Sequence, residues 1–158
     1  MYTFLTTSPW TDYELLDAGN FEKLERFGKH ILARPEPQAI WDPHLPASEW
    51  QRAHATFTRE KGSQERGTWR IKPGTPEQWI IGYERPQGLK LRFRLGMSSF
   101  KHVGLFPEQD PNWQFIFEQT RRRRAPQPRV LNLFAYTGAA TLAARAAGAD
   151  VTHLDSVK

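Results

Sequence analysis

The stretch from residue 130 to residue 155 limits the folds open to this chain more than any other. It reads Val130-Leu131-Asn132-Leu133-Phe134, then Ala135-Tyr136-Thr137-Gly138, then the alanine-rich Ala139 to Ala147, then Gly148, and finally Val151 to Leu154 closed by Asp155. A short apolar run broken by Thr-Gly has the pattern of a strand buried on both faces, as in parallel sheets. Alanine is the strongest helix former, and a glycine directly after such a run suits a left-handed cap. The order is therefore strand, tight turn, helix, strand, acid. This is a β-α-β unit, whose strands must run parallel, and it makes the fold class α/β, or α+β for the whole chain.

Such a unit is built to hold a nucleoside-bearing cofactor. A glycine at the strand-helix turn lets a ligand approach the backbone closely, and the N–H groups opening a helix offer donors to it. Asp155 follows Gly138 by 17 residues, close to the roughly 20 expected between the glycine turn and an acid that accepts hydrogen bonds from ribose hydroxyls. A dinucleotide would call for G-x-G-x-x-G, whose second glycine admits a pyrophosphate, and this turn has one glycine. NAD is thereby disfavoured, and S-adenosylmethionine, which has an adenosine and no phosphate, is favoured. An NAD(P)-linked oxidoreductase remains the alternative enzyme, and a unit that binds nothing the bland one.

Upstream, Asp110 reads as an N-cap and Pro111 as the first helical residue of a helix to about Arg122, with Trp113, Ile116, Phe117 and Thr120 on one stripe. Arg121 to Arg124 then sit at the negative end of the helix dipole, which explains them without nucleic acid. Pro126 and Pro128 end the helix. Residues 1–99 read as a β-rich domain and 100–158 as the start of the α/β domain. Within the first, Tyr13 to Asp17 and Ile31 to Arg34 are expected strands, Gly19-Asn20 a turn, and Thr58 to Gly67 a polar loop. Thr68 to Lys72, Gln78 to Tyr83 and Leu89 to Leu95 follow in the rhythm of an antiparallel meander. The last alternates, with Leu89, Leu91, Phe93 and Leu95 on one face and Lys90, Arg92 and Arg94 on the other. That basic face is either a solvated sheet surface or a phosphate-contacting one.

Charge and residue usage narrow the classes further. Lys and Arg number 22 against 17 Asp and Glu, a balance compatible with a polyanionic partner. The absence of cysteine excludes disulfides and a thiol nucleophile in these residues and agrees with a reducing compartment, so the cytoplasm is the expected location. No run approaches the roughly 20 apolar residues of a membrane-spanning helix. The five histidines, at 30, 44, 54, 102 and 153, lack ligand-like spacing, and no metal site is expected.

NLFAYTGAAT followed by VTHLDSVK resembles motif I and the ribose-acid strand of class I S-adenosylmethionine-dependent methyltransferases, the family that includes the ribosomal RNA large-subunit methyltransferases I and K/L. FKHVGLFPEQDPNW is similar to the K-x-G-x-F-x-(D/E)-Q segment that precedes motif I in those enzymes. The resemblance implies that Phe134, Tyr136, Thr137 and Gly138 line the methionine and adenosine region, that Asp155 binds the ribose, and that Phe106 and Gln109 close over the cofactor. It further implies methyl transfer to a base of ribosomal RNA, with RNA as partner. The base-gripping Asp/Asn-Pro-Pro-x motif of that family does not occur in residues 1–158. On this reading the chain is an N-terminal portion, its catalytic residues lie beyond Lys158, it is inactive alone, and an unpaired strand edge favours self-association. A non-catalytic RNA-binding module using Lys90, Arg92, Arg94 and Arg121 to Arg124 is the reading from a different class.

Overall fold

A computed structural model describes residues 5–123 and 126–156. Two compact units are distinguished: Trp10–Ile81 with Arg94–Val103, and Met1–Pro9 with Gly82–Phe93 and Gly104–Lys158. Neither is a single stretch of chain.

The first unit is built on a five-stranded sheet in the order β1 (Tyr13–Gly19), β2 (Glu22–Phe27), β3 (His30–Pro35), β4 (Ala55–Arg59), β5 (Gly67–Ile71). Neighbours are antiparallel except β3 and β4, which are parallel. The short helix α1 (Ala47–Trp50) lies in the β3–β4 connection. The β1–β2 turn falls on Asn20 and Phe21, at φ 48° and 63°, one residue later than expected. Two left-handed central residues match the twist of a two-residue hairpin. Gly19 instead ends β1, where a Cβ would stand 2.3 Å from the Pro43 nitrogen.

β2 and β4 have no counterpart in the sequence reading. β2 places Leu24 and Phe27 in the core, but it also buries Glu25, which is 0% exposed. Arg34 donates to this carboxylate from Nε at 2.6 Å and Nη2 at 3.0 Å, and the Tyr13 hydroxyl donates at 3.1 Å. Burial works to raise the Glu25 carboxyl, and the Arg34 charge outweighs it, so the group sits below the usual carboxylate range. A charged residue at an inward position hides the period by which a strand is recognised. β4 takes Thr58 and Arg59 out of the expected loop and leaves residues 60–66 as the connection. The meander is also corrected: β5 pairs with β4, while β6 (Gln78–Glu84) and β7 (Lys90–Gly96) form a separate hairpin. Once β4 occupies an edge of β5, the Pro73-Gly74 turn, with Gly74 at φ +82°, carries the chain away from the sheet. Along β7 the alternation holds, with Phe93 and Leu95 buried and Lys90, Arg92 and Arg94 exposed.

In the second unit a 3-10 turn, Pro107–Gln109, runs into α2 (Asp110–Arg122). Asp110 is not the N-cap. The helix begins one residue earlier than expected, Gln109 holds the cap position with no side-chain capping bond, and Asp110 is 0% exposed. Its carboxylate accepts from Tyr83 Oη at 2.5 Å, Arg85 Nε at 3.0 Å, Gln114 Nε2 at 3.0 Å and the Ser8 N–H at 3.2 Å. Trp113, Phe117 and Thr120 form the buried stripe. Arg121 donates to the Gln87 carbonyl at 2.8 Å and lies over the Phe117 ring, and Arg122 pairs with Glu118. Arg124 lies outside the described residues. The unit closes with β8 (Arg129–Leu133), α3 (Ala139–Ala146) and β9 (Asp150–Leu154), with β8 and β9 parallel from Arg129↔Asp150 to Leu133↔Leu154. The architecture is mixed α/β, as the residue pattern requires.

Candidate functional site

The β8–α3 turn is the most contorted backbone in the second unit. Phe134, Tyr136 and Gly138 have φ of 55°, 50° and 96°, and a left-handed bulky residue costs on the order of 1–3 kcal/mol. Local bonds hold the loop in place. The Ala135 N–H donates to the Leu154 carbonyl at 3.1 Å, the Tyr136 N–H to Asp155 Oδ2 at 2.6 Å, and the Gly138 N–H to the Ala135 carbonyl at 2.9 Å. The Thr137 hydroxyl reaches across to the Gly104 carbonyl at 2.7 Å. Phe106, two residues on, sets its ring 5.0 Å from that of Tyr136. Glycine suits position 138 because its φ is left-handed, and a Cβ there would lie 3.2 Å from His153 Cε1 on β9. Beneath it, Asn132 Nδ2 donates to Thr141 Oγ1, which is 2.9 Å from His153 Nδ1.

A cavity of about 500 Å³ opens between this loop and the start of α2. Its walls include Phe106, Gln109, Phe134, Tyr136 and Thr137, so five of the seven residues singled out from sequence come together. Gly138 and Asp155 are not among the walls. Gly138 packs on the His153 ring, and the Asp155 carboxylate braces the loop from behind through Tyr136. Phe134 is 91% exposed and is not a core aromatic. The sequence reading did not single out Glu108, Trp113 or Asn132 as wall residues, yet all three line the cavity. The first was legible as Gln109's neighbour; Trp113 was absorbed into the core stripe of α2, and Asn132 carried no signal in a five-residue apolar run.

Among the wall residues Glu108 alone carries a formal charge. Gln109 Oε1 accepts from Asn112, and the Asn132 and Thr137 side chains donate to protein acceptors. The site therefore offers aromatic faces, short polar groups and one carboxylate, with no cation for a phosphate. Among the described residues no group of three or more His, Cys, Asp or Glu is placed to hold a metal, and no helix is long and apolar enough to cross a membrane.

The chain is similar to the crystal structure of the SAM-dependent methyltransferase from Agrobacterium tumefaciens, with TM-score 0.84 and 40% identity over 98% of this chain. The chain resembles a methyltransferase over nearly its whole length. It spans 46% of that protein's chain. No protein-family model and no curated protein matches.

Proposed function

We propose that this chain carries the S-adenosylmethionine-binding portion of a methyltransferase that acts on an RNA base, as the large-subunit ribosomal RNA enzymes do. The observation that carries the reading is the parallel β8–α3–β9 unit with a single, left-handed glycine in its β8–α3 turn, facing a cavity lined by no cationic side chain. Its volume is within the range of small-molecule sites, and its aromatic walls and lack of a phosphate partner fit an adenosyl sulfonium better than a dinucleotide. The 40% identity to the SAM-dependent methyltransferase from Agrobacterium tumefaciens points the same way. In this reading Phe106, Phe134 and Tyr136 flank the adenosine and methionine, Gln109 and Thr137 add polar contacts, Gly138 permits the close approach, and Asp155 serves the ribose. Bound S-adenosylmethionine would supply an electrophilic methyl group with its own leaving group; the protein's part is to orient it.

The methyltransferase domain is proposed to begin near residue 100, after a β-rich domain of residues 1–99, in a cytoplasmic protein. With no Asp-Pro-Pro or Asn-Pro-Pro in residues 1–158, these residues are proposed to bind the cofactor without methylating. Leu131, Leu133 and Leu154 are exposed on the β8–β9 sheet, which supports self-association of the isolated chain. RNA contact is best supported on β7, where Arg92 and Arg94 are exposed and pair with no acid among the described residues while Lys90 pairs with Glu84; Arg121 and Arg122 are occupied within the unit. Calorimetry tests the cofactor reading directly: S-adenosylmethionine should bind, Asp155→Ala should weaken it, and NADH should not compete. Uptake of NADH with no response to S-adenosylmethionine would replace it with the oxidoreductase.

A further inference from the structure

Glu108 is the one charged wall residue of the cavity. The Gln109, Asn132 and Thr137 side chains each donate to or accept from the protein, whereas the Glu108 carboxylate has no hydrogen-bond or ion-pair partner among the described residues. It follows Pro107 in the 3-10 turn, and Pro107 is anchored from behind because its carbonyl accepts from the Thr7 hydroxyl at 3.1 Å. The next residue but one, Asp110, is fixed by Tyr83, Arg85 and Gln114. An uncommitted carboxylate is thus held on a rigid turn at the edge of an aromatic cavity that offers nothing positive to answer it.

We propose that Glu108 is a specificity residue that reads the positive charge of the methionyl end of the ligand. The inference rests on the cofactor reading above and deepens it. S-adenosylmethionine carries two cationic groups, the sulfonium and the α-ammonium, and either one supplies what Glu108 lacks. A carboxylate facing an aromatic cavity repels anionic nucleotides for the same reason, so one residue both attracts the cofactor and rejects its competitors.

The test is titration calorimetry on the full chain and Glu108→Gln with three probes: S-adenosylmethionine, S-adenosylhomocysteine, which keeps the ammonium and lacks the sulfonium, and methylthioadenosine, which has neither. A thermal melt of both proteins accompanies it. Because Glu108 is exposed, the expected loss is about threefold to fivefold in affinity, as for a solvent-accessible ion pair. Loss for the first two probes assigns the ammonium, and loss for the first alone assigns the sulfonium. Equal loss for all three, or for none, overturns the proposal. If the unsubstituted protein binds none of them, the cofactor reading fails instead, and the two failures are distinct.

Discussion

Gly138 and Gly148 bracket α3 and are both left-handed, at φ +96° and +92°, but they differ in surroundings. A methyl group on Gly148 would meet nothing within 4 Å, while one on Gly138 would lie 3.2 Å from Cε1 and 3.4 Å from Nδ1 of His153. Gly148→Ala therefore isolates the left-handed backbone penalty, about 1–2 kcal/mol. Gly138→Ala adds a contact tighter than ordinary van der Waals separation, against a ring whose Nδ1 is 2.9 Å from Thr141 Oγ1. Overpacking of that kind costs about 1 kcal/mol or more, for a total of about 2–3 kcal/mol. Against a typical domain stability of about 5–15 kcal/mol, both losses are readily measured. Urea unfolding of the two variants, each with and without His153→Ala, gives the comparison. Gly138→Ala should be the less stable by about 1 kcal/mol, and that excess should vanish once the ring is removed. Equal losses at the two glycines, or an excess that survives His153→Ala, would refute the packing argument.

Asp155→Ala should speed hydrogen exchange of the Tyr136 amide by about tenfold, since its acceptor is gone; an unchanged rate measured by NMR would mean that the carboxylate does not brace the loop. Arg34→Met should cost about 3–5 kcal/mol by stranding buried Glu25, and Glu25→Leu combined with Arg34→Met should cost less than Arg34→Met alone; thermal melts of both decide it. Burial, with His54 and Lys29 nearby, holds the His30 imidazole below its usual 6.5. The unfolded chain then binds the extra proton first, so stability should fall as pH drops below about 6.5, well above the range in which Glu25 is protonated. Denaturant midpoints from pH 7.5 to 5 should show this slope, and His30→Phe should reduce it, leaving the part that comes from His102, whose imidazole burial also holds below 6.5.

The β-α-β unit was legible because its signals are local: alanine for the helix, glycine at two left-handed positions, apolar runs for strands. Its observed elements depart from the expected ones by a residue at most ends. β2 was invisible because Glu25 is buried against Arg34 on a neighbouring strand, a pairing that no period along one strand reveals. Asp110 misled for the related reason that a carboxylate before proline looks like a cap, while its actual partners, Tyr83 and Arg85, are 27 and 25 residues away. Five wall residues, Phe106, Gln109, Phe134, Tyr136 and Thr137, were legible through the family resemblance, whereas Trp113 was absorbed into the α2 stripe and Asn132 carried no signal. The orientation of Asp155 was not legible, since it depends on the left-handed conformation of Tyr136.

That orientation carries the last step. The loop from Phe134 to Gly138 is strained at two positions, Phe134 and Tyr136, and its supports are already in place within the protein: Asp155 on Tyr136, Gly104 on Thr137, Phe106 on the Tyr136 ring. A ligand entering the cavity meets walls that need no further ordering, which is where preorganised sites gain affinity. The acid at the tip of β9 therefore matters to the cavity even though it is not one of its walls. Replacing it removes a support of the loop as well as any direct contact it makes, so Asp155→Asn, which keeps an acceptor for Tyr136, should retain more ligand affinity than Asp155→Ala. Equal losses for the two variants would mean that the brace contributes nothing and that any effect of Asp155 is through its charge alone.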